Sequence, residues 1–346
     1  MPLPQVAAAG LEMTVSRQDY PGQGSAYVGM LDAFMDSKGL ISPEEWRQFC
    51  SEVVPLFRTD RFCWTNDETL TGTVELANYT EQALSGKAMN WMLMNSKGET
   101  LAEGEWSLEA KAGALSPVGH IEVPLHTVQQ AEKVTLSLRI PGTDYRNDYP
   151  LWVYPAKVTT PPAEGVTVAT DWASCQAALS KGGKVIWFPD QTQLKEQTVG
   201  ALFQTDYWNY RMFKSICEGL GRPVSPGTMG LLIDEKHPAL ADFPTEFHTN
   251  WQWFPIVKQS YPLILDGTPN HFQPIVQVID NIERNHKLGL LFECQVDEGS
   301  LLVCMANIAT VQDKPEARQF YKSLLDYVAS SSFAPTSKLT LKELRH

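Results

Sequence analysis

The runs TLTGTVELANYT (69–80), KAMNWMLMNS (87–96), GEWSLEAKA (104–112), GHIEVPL (119–125), EKVTLSLRIPG (132–142) and YPLWVYPA (149–156) decide the first half of the fold. Each alternates apolar and polar residues with a period of two, the signature of a strand with one buried face. Asn95-Ser96-Lys97-Gly98, Pro141-Gly142 and Asn147-Asp148 punctuate them as turns. With FCWTNDE (62–68) leading in, residues 58–157 hold about seven strands, which predicts an all-β, immunoglobulin-like sandwich. Cys63 is the only cysteine in that span, so the inter-sheet disulfide of antibody domains has no second partner.

The texture changes on both sides. Lys157 to Gly165 carries two prolines and a glycine and reads as a linker. Residues 166–346 then alternate strands and helices. VTVAT (166–170) leads into a helix capped near Thr170 or Asp171 and ended at Gly182-Gly183. KVIWFP (184–189) is a nearly continuous apolar strand, as expected when both faces are covered. A helix over 203–219 carries Phe203, Tyr207, Tyr210, Phe213 and Cys217 at helical spacing, and a last helix over 315–330 buries Ala317, Phe320, Leu324 and Val328. This alternation predicts an α/β domain with a mostly parallel sheet, with one antiparallel hairpin at an edge around Asp297-Glu298-Gly299. Ahead of the sandwich, residues 1–57 hold a strand (11–19), a PGQG turn (21–24) and a helix. Ser42, Pro43 and Glu45 start that helix as a capping box, with Trp46, Phe49 and Cys50 on one face.

Composition narrows the function. A net charge of −12 argues against a nucleic-acid partner, which needs a dense basic face. No run approaches the length of a membrane span. MPLPQVAAAG (1–10) has no basic residue before its apolar stretch and reads as no secretory signal, which leaves the compartment open. The cysteines at 50, 63, 175, 217, 294 and 304 form no C-x-x-C pair and read as buried small hydrophobes. The histidines show no metal-ligand spacing, and His237, ahead of Pro238, reads as a turn residue. No nucleophile elbow, P-loop, dinucleotide fingerprint or H-E-x-x-H is present, so no catalytic residue, metal ligand or cofactor is assigned.

Two aromatic clusters could stack on sugar rings: Phe203/Tyr207/Trp208/Tyr210 and Trp251/Trp253. Their spacing fits core packing better than ligand contact. Asp19 and Gln23 flank a strand end and a glycine-rich turn, a place where ligands often bind.

Several stretches resemble large glycoside hydrolases of family 2, of the bacterial β-galactosidase and β-glucuronidase kind. QDYPGQGSAYVGMLDAFMDSKG (18–39) looks like the end of the catalytic (β/α)₈ barrel of that family, and ISPEEWRQFC (41–50) like its closing helix. WTNDE (64–68) and LWVYP (151–155) look like the first and last strands of the immunoglobulin-like domain that follows the barrel. TDYWNY (205–210), GTMG (227–230), HPAL (237–240) and DNIERN (280–285) look like its C-terminal α/β domain. That domain is similar to the flavodoxin-like fold of class I glutamine amidotransferases without their Cys-His-Glu set. The resemblance implies three parts: a barrel remnant (1–57), a sandwich (58–157) and a flavodoxin-like α/β domain (166–346). A retaining glycosidase needs two carboxylates about 5–5.5 Å apart. The family carries these on earlier barrel strands, so the resemblance implies none here and an accessory role: structural support, oligomerisation, or contact with carbohydrate. Gln18, Asp19, Tyr20 and Gln23 match the barrel rim, and with Trp208, Trp251 and Trp253 they are the expected carbohydrate contacts. A homo-oligomer or a barrel-bearing partner chain is the expected protein partner. Two other readings stay open: a hydrolase or amidotransferase-like enzyme with its site in the α/β domain, at Cys175 or Cys217, and a purely structural interaction module.

Overall fold

The computed structural model describes residues 30–31, 35–160, 164–203, 210–281, 283–340 and 343. The chain divides into two compact units, Met1–Val153 and Tyr154–His346. The strand and turn expected over 11–24 lie outside the described residues.

In the first unit the capping box forms as the residue types dictate. Ser42 Oγ accepts from Glu45 N at 3.2 Å, and Glu45 Oε2 accepts from Ser42 N at 2.8 Å. The helix it opens, α1 (Pro43–Arg47), is short and buries none of its residues, and Cys50 is exposed. The helix thus ends ahead of Phe49 and Cys50, the residues expected to share a face with Trp46, and the exposed Cys50 corrects its reading as a buried small hydrophobe.

The first strand is β1 (Val53–Arg58), and β2 (Cys63–Thr65), β3 (Thr69–Asn78), β4 (Leu84–Met94), β5 (Thr100–Ala110), β6 (Ala114–Pro124), β7 (Glu132–Arg139) and β8 (Arg146–Tyr154) follow. One sheet has the order β1-β3-β6 and the other β2-β8-β7-β4-β5. The pairs β1/β3, β3/β6, β4/β5, β4/β7 and β7/β8 are all antiparallel. β1 starts ahead of residue 58, and Pro55 hides it from a reading by propensity. An edge strand tolerates proline, which has no N–H to give. The carbonyl of Pro55 instead accepts from Asn147 Nδ2 (2.9 Å) and the Tyr149 hydroxyl (3.1 Å). Val74, Leu76 and Ile121 from one sheet meet Met89, Leu93, Leu136, Leu138 and Leu151 from the other, all at most 1% exposed. Burying each such side chain contributes about 1.5–3 kcal/mol.

The second unit runs β9 (Val166–Ala169), α2 (Trp172–Leu179), β10 (Lys184–Trp187), α3 (Tyr210–Gly219), β11 (Gly230–Ile233), α4 (Phe254–Lys258), β12 (Leu263–Ile264), β13 (Val276–Ile279), β14 (Lys287–Val296), β15 (Gly299–Cys304) and α5 (Pro315–Ala329). Its sheet has the order β11-β13-β14-β15-β10-β9, with β12 beside β14. Val185 and Trp187 pack with Cys175 and Leu179 of α2 on one face. Ile186 packs with Phe320 and Leu324 of α5 on the other. Helices thus cover both faces, which is why Val185, Ile186 and Trp187 of β10 are apolar in succession.

The sheet is mixed, which corrects the mostly parallel, flavodoxin-like expectation. Only β9, β10 and β15 run parallel; β11/β13, β13/β14, β12/β14 and β14/β15 are antiparallel. A parallel pair needs a crossover of about a dozen residues or more. DNIERN lies in the short link between Ile279 and Lys287, which allows only a reversal. The Asp297-Glu298 turn, with Asp297 at φ 52°, joins β14 and β15 at the middle of the sheet, not at an edge.

The aromatic helix expected over 203–219 is described from Tyr210 on, and Phe203 is not part of it. α3 buries no residue, Phe203 sits in a lone parallel bridge with Thr228, and Tyr207 lies outside the described residues. Tyr210, Phe213 and Cys217 are half-buried and Phe203 packs partly buried against the core cluster, so the described part of the stripe lies at the edge of the core. Among the described residues no helix is long and apolar enough to cross a membrane.

Candidate functional site

The parallel strands of the second unit end together. β9 ends at Ala169 before Thr170-Asp171, β10 ends before Phe188-Pro189-Asp190, and β15 ends before Met305-Ala306-Asn307. In open α/β sheets, ligands bind beyond the carboxyl ends of parallel strands. Here that place is a crevice of about 680 Å³, with Thr170, Phe188, Asp190, Asn307, Gln312 and Tyr321 on its walls. The volume suits a small organic ligand.

Each wall has a local cause. Next to the lining residue Thr170, and not itself on the wall, Asp171 caps α2 by accepting from Ser174 N at 2.8 Å. Asp190 Oδ1 accepts from Thr192 N (2.9 Å) and Thr192 Oγ1 (2.8 Å). These hydrogen bonds hold both carboxyls below the ordinary aspartate range, so both are ionised at neutral pH. Asn307 precedes the 3₁₀ turn Ile308–Val311 without capping it through its side chain. Tyr321 comes from α5 and meets Phe188 with ring centroids 5.6 Å apart. Burial pushes its phenol up, so it stays a neutral hydroxyl. Gln312 is fixed by donating from Nε2 to the Ile308 carbonyl at 3.2 Å. The crevice thus combines an aromatic pair with hydroxyl, amide and carboxylate groups. The signal in the sequence is an apolar run that stops at a polar residue, repeated as VTVAT-D, KVIWFP-D and LLVCMA-N. Only the fold shows that the three stops converge.

The residues expected to contact carbohydrate are placed differently. Gln18, Asp19, Tyr20, Gln23 and Trp208 lie outside the described residues. Trp251 is half-buried in the 3₁₀ turn Trp251–Trp253. Trp253 is 0% exposed, packed edge-on against Phe243 and Phe320, with Nε1 donating to Thr245 Oγ1 at 2.9 Å. It is a core residue with no face for a ring to stack on. Burial pushes the Cys175 thiol up to about 12, and Cys217 sits within α3, not on a turn after a strand. Neither is placed as a nucleophile.

Three of the quoted motifs form one junction. Asp280, at the head of DNIERN, accepts from Arg284 through both oxygens and from the backbone N–H of Asn281 (2.8 Å) and His286 (3.1 Å). Arg284 lies over the Tyr210 ring, 4.9 Å from its centroid, and donates to the Pro226 carbonyl at 2.6 Å. Gly227 has a φ of 68°, and a Cβ there would stand 2.3 Å from the Tyr210 ring. HPAL joins a second cluster. His237 Nδ1 accepts from Ala239 N at 3.2 Å, which leaves the proton on Nε2, 3.8 Å from Glu293 Oε1.

The fold and crevice define a two-unit chain: an antiparallel sandwich followed by a mixed-sheet α/β unit with a polar, aromatic cleft at its strand ends. Residues 167–346, more than half of the chain, match the family described as domain of unknown function (DUF8487), and the chain belongs to that family. Residues 68–155 match the domain of unknown function DUF8488. No curated protein matches the sequence. Solved structures with partial likeness include a protein described as a β-galactosidase from Bacteroides fragilis (12% identity, TM-score 0.22, 39% of this chain and 24% of that one). Another is a family 123 glycoside hydrolase from Clostridium perfringens (6%, 0.23, 37% and 32%). A third is the β-glucuronidase of Bifidobacterium dentium (11%, 0.21, 50% and 30%). The matched part spans about a quarter to a third of each of those proteins, and likeness at this level fixes neither fold nor activity.

Proposed function

We propose that the second unit binds a neutral polyhydroxylated ligand, a saccharide, in the crevice beyond β9, β10 and β15, in an accessory role in carbohydrate processing. The observation that carries this is the pair of aspartates at the strand ends. In dinucleotide-binding α/β folds a helix N-terminus after a strand receives the phosphate. Here Asp171 and Asp190 already occupy the first N–H groups after β9 and β10, so their charge repels an anion. A sugar ring needs an apolar surface for one face and donors and acceptors for its hydroxyls. Phe188 and Tyr321 supply the first; Thr170, Asp190, Asn307 and Gln312 supply the second. The resemblance of the quoted motifs to glycoside hydrolases of family 2 supports the same ligand class.

The test is a titration of the isotopically labelled protein with neutral mono- and disaccharides, followed by backbone NMR. Saturable shifts at residues 168–170, 188–192 and 306–312 are expected, with sugar phosphates binding more weakly than their parent sugars. Tighter binding of the phosphates, or flat spectra across the neutral panel, overturns the reading.

A further inference from the structure

A second recess lies on the outer face of the five-stranded sheet of the sandwich, away from its core. It holds about 580 Å³ and runs over β4 between β5 and β7. Its floor is Asn90 and Met92, which point outward from β4 while Met89 and Leu93 point into the core. The register fixes what flanks them. Asn90 pairs with Glu105 on one side and Arg139 on the other. Met92 pairs with Glu103 and Ser137. Two carboxylates therefore line one wall and a guanidinium the other. Neighbouring strands lie about 4.8 Å apart, so Glu105 and Arg139 stand about 10 Å apart at the backbone.

Among the described residues these charges form no ion pair, whereas Arg58 and Arg61 on the same sandwich do. Arg58 pairs with Glu75, and Arg61 with Glu68 at 2.7 Å. Arg139 donates from Nε to Ser137 Oγ at 2.9 Å, which turns the guanidinium along β7. Among the described residues it meets no carboxylate, and Glu103 and Glu105 meet no cation. A solvated sheet face lowers its energy by joining opposite charges in one cross-strand row. This face holds them apart across an apolar and amide floor.

We infer that this recess binds a short basic peptide laid across the strands, its ammonium groups on Glu103 and Glu105 and its carboxylate on Arg139. An extended tripeptide spans about 10 Å, which matches the separation of the walls. The Asn90 amide can both donate to and accept from the middle peptide group. Met92 adapts its shape to a small side chain above it. The guanidinium offers its two remaining nitrogens to the carboxylate as a fork. Two acids against one base favour a peptide with a lysine at its amino end.

The experiment is calorimetric titration of the full chain with the tripeptide Lys-Ala-Ala, both termini free, and with its C-terminal amide. The acid is expected to bind saturably and about tenfold tighter than the amide, the value of one charge-assisted contact. Arg139→Gln is expected to erase that difference, and Glu103→Gln with Glu105→Gln to weaken both peptides. These side chains point outward, and a thermal melt matching the parent confirms each variant's fold. The inference is overturned by equal affinity of acid and amide for the parent chain. It is equally overturned by an unchanged acid preference in Arg139→Gln, or by no saturable heat at millimolar peptide.

Discussion

The hydroxyl of Tyr327 donates to Glu293 Oε2 at 2.6 Å, tying α5 to the centre of β14 through a carboxylate that is mostly out of water. A hydrogen bond to a charged group contributes about 1.5–3 kcal/mol, and removing the donor leaves the acceptor desolvated. Tyr327→Phe keeps the ring contacts to His237 and Phe333 and removes only this bond. Urea unfolding is expected to show a loss of about 1.5–3 kcal/mol. An unchanged midpoint would show that Glu293 is served by solvent.

His237 sits beside the same carboxylate. Burial lowers its pKa, with Glu293 and Asp234 opposing the shift. A histidine whose pKa is depressed by folding stabilises the fold above its unfolded value and loses that contribution as the pH falls. Stability is therefore expected to decline below about pH 6.5, the unfolded value. His237→Asn can still cap the turn at Pro238–Leu240 but does not titrate, so its profile should be flatter between pH 5 and 7 by about the histidine's share.

Glu316 carries the opposite sign. It is 6% exposed in the first turn of α5, and its Oε2 has no donor among the described residues. Burial raises its pKa. A carboxyl with a raised pKa stabilises the fold below the unfolded value of about 4.3 and loses that contribution as the pH rises through the folded value. Glu316→Gln should thus be more stable than the parent near pH 8, with the gap closing towards pH 4. Chemical denaturation at both pH values checks it; a gap independent of pH would contradict it.

The parts legible in the sequence are those decided within a few residues. Ser42 and Glu45, Asp171 before α2, and the stripe of Ala317, Phe320, Leu324 and Val328 on α5 all follow from local chemistry and helical spacing. Strand direction is not local. Nothing in KVIWFP says that β10 lies parallel to β15, whereas the shortness of DNIERN did carry the reversal between β13 and β14. The crevice was illegible for the same reason: Thr170, Asp190 and Asn307 each look like an ordinary strand end until the sheet order brings them together. Trp253 shows the converse, since aromatic spacing alone does not separate a core residue from a sugar platform.

The junction of the quoted motifs depends on Gly227. Its positive φ is costly for other residues, and the Tyr210 ring occupies the space a side chain would need. Gly227→Ala is expected to lose more than about 2 kcal/mol, since strain and clash add. Differential scanning calorimetry would show it, and a shift of under a degree would mean that Tyr210 swings clear without cost.

Tyr321→Phe isolates one hydroxyl in the crevice. The ring contact with Phe188 remains, and the hydroxyl makes no hydrogen bond to the described residues. Stability should change little. Saccharide affinity should fall by about a factor of ten, corresponding to one lost hydrogen bond of about 1–1.5 kcal/mol. Unchanged affinity would move the ligand away from this wall.

The division of the α/β sheet also sets an order of assembly. β13, β14 and β15 are joined by short links, so their contacts close small loops and form quickly. The parallel half waits for Lys184 to find Ser300, across most of the unit's sequence, and β9 can dock only after β10 is in place. The crevice closes only when that late half arrives: Thr170, Phe188 and Asp190 come with β9 and β10, onto a wall of Asn307, Gln312 and Tyr321 that follows β15. Hydrogen exchange is expected to reach β9 and β10 before β14, so any ligand held at their ends fastens the last piece of the fold to arrive and the first to leave.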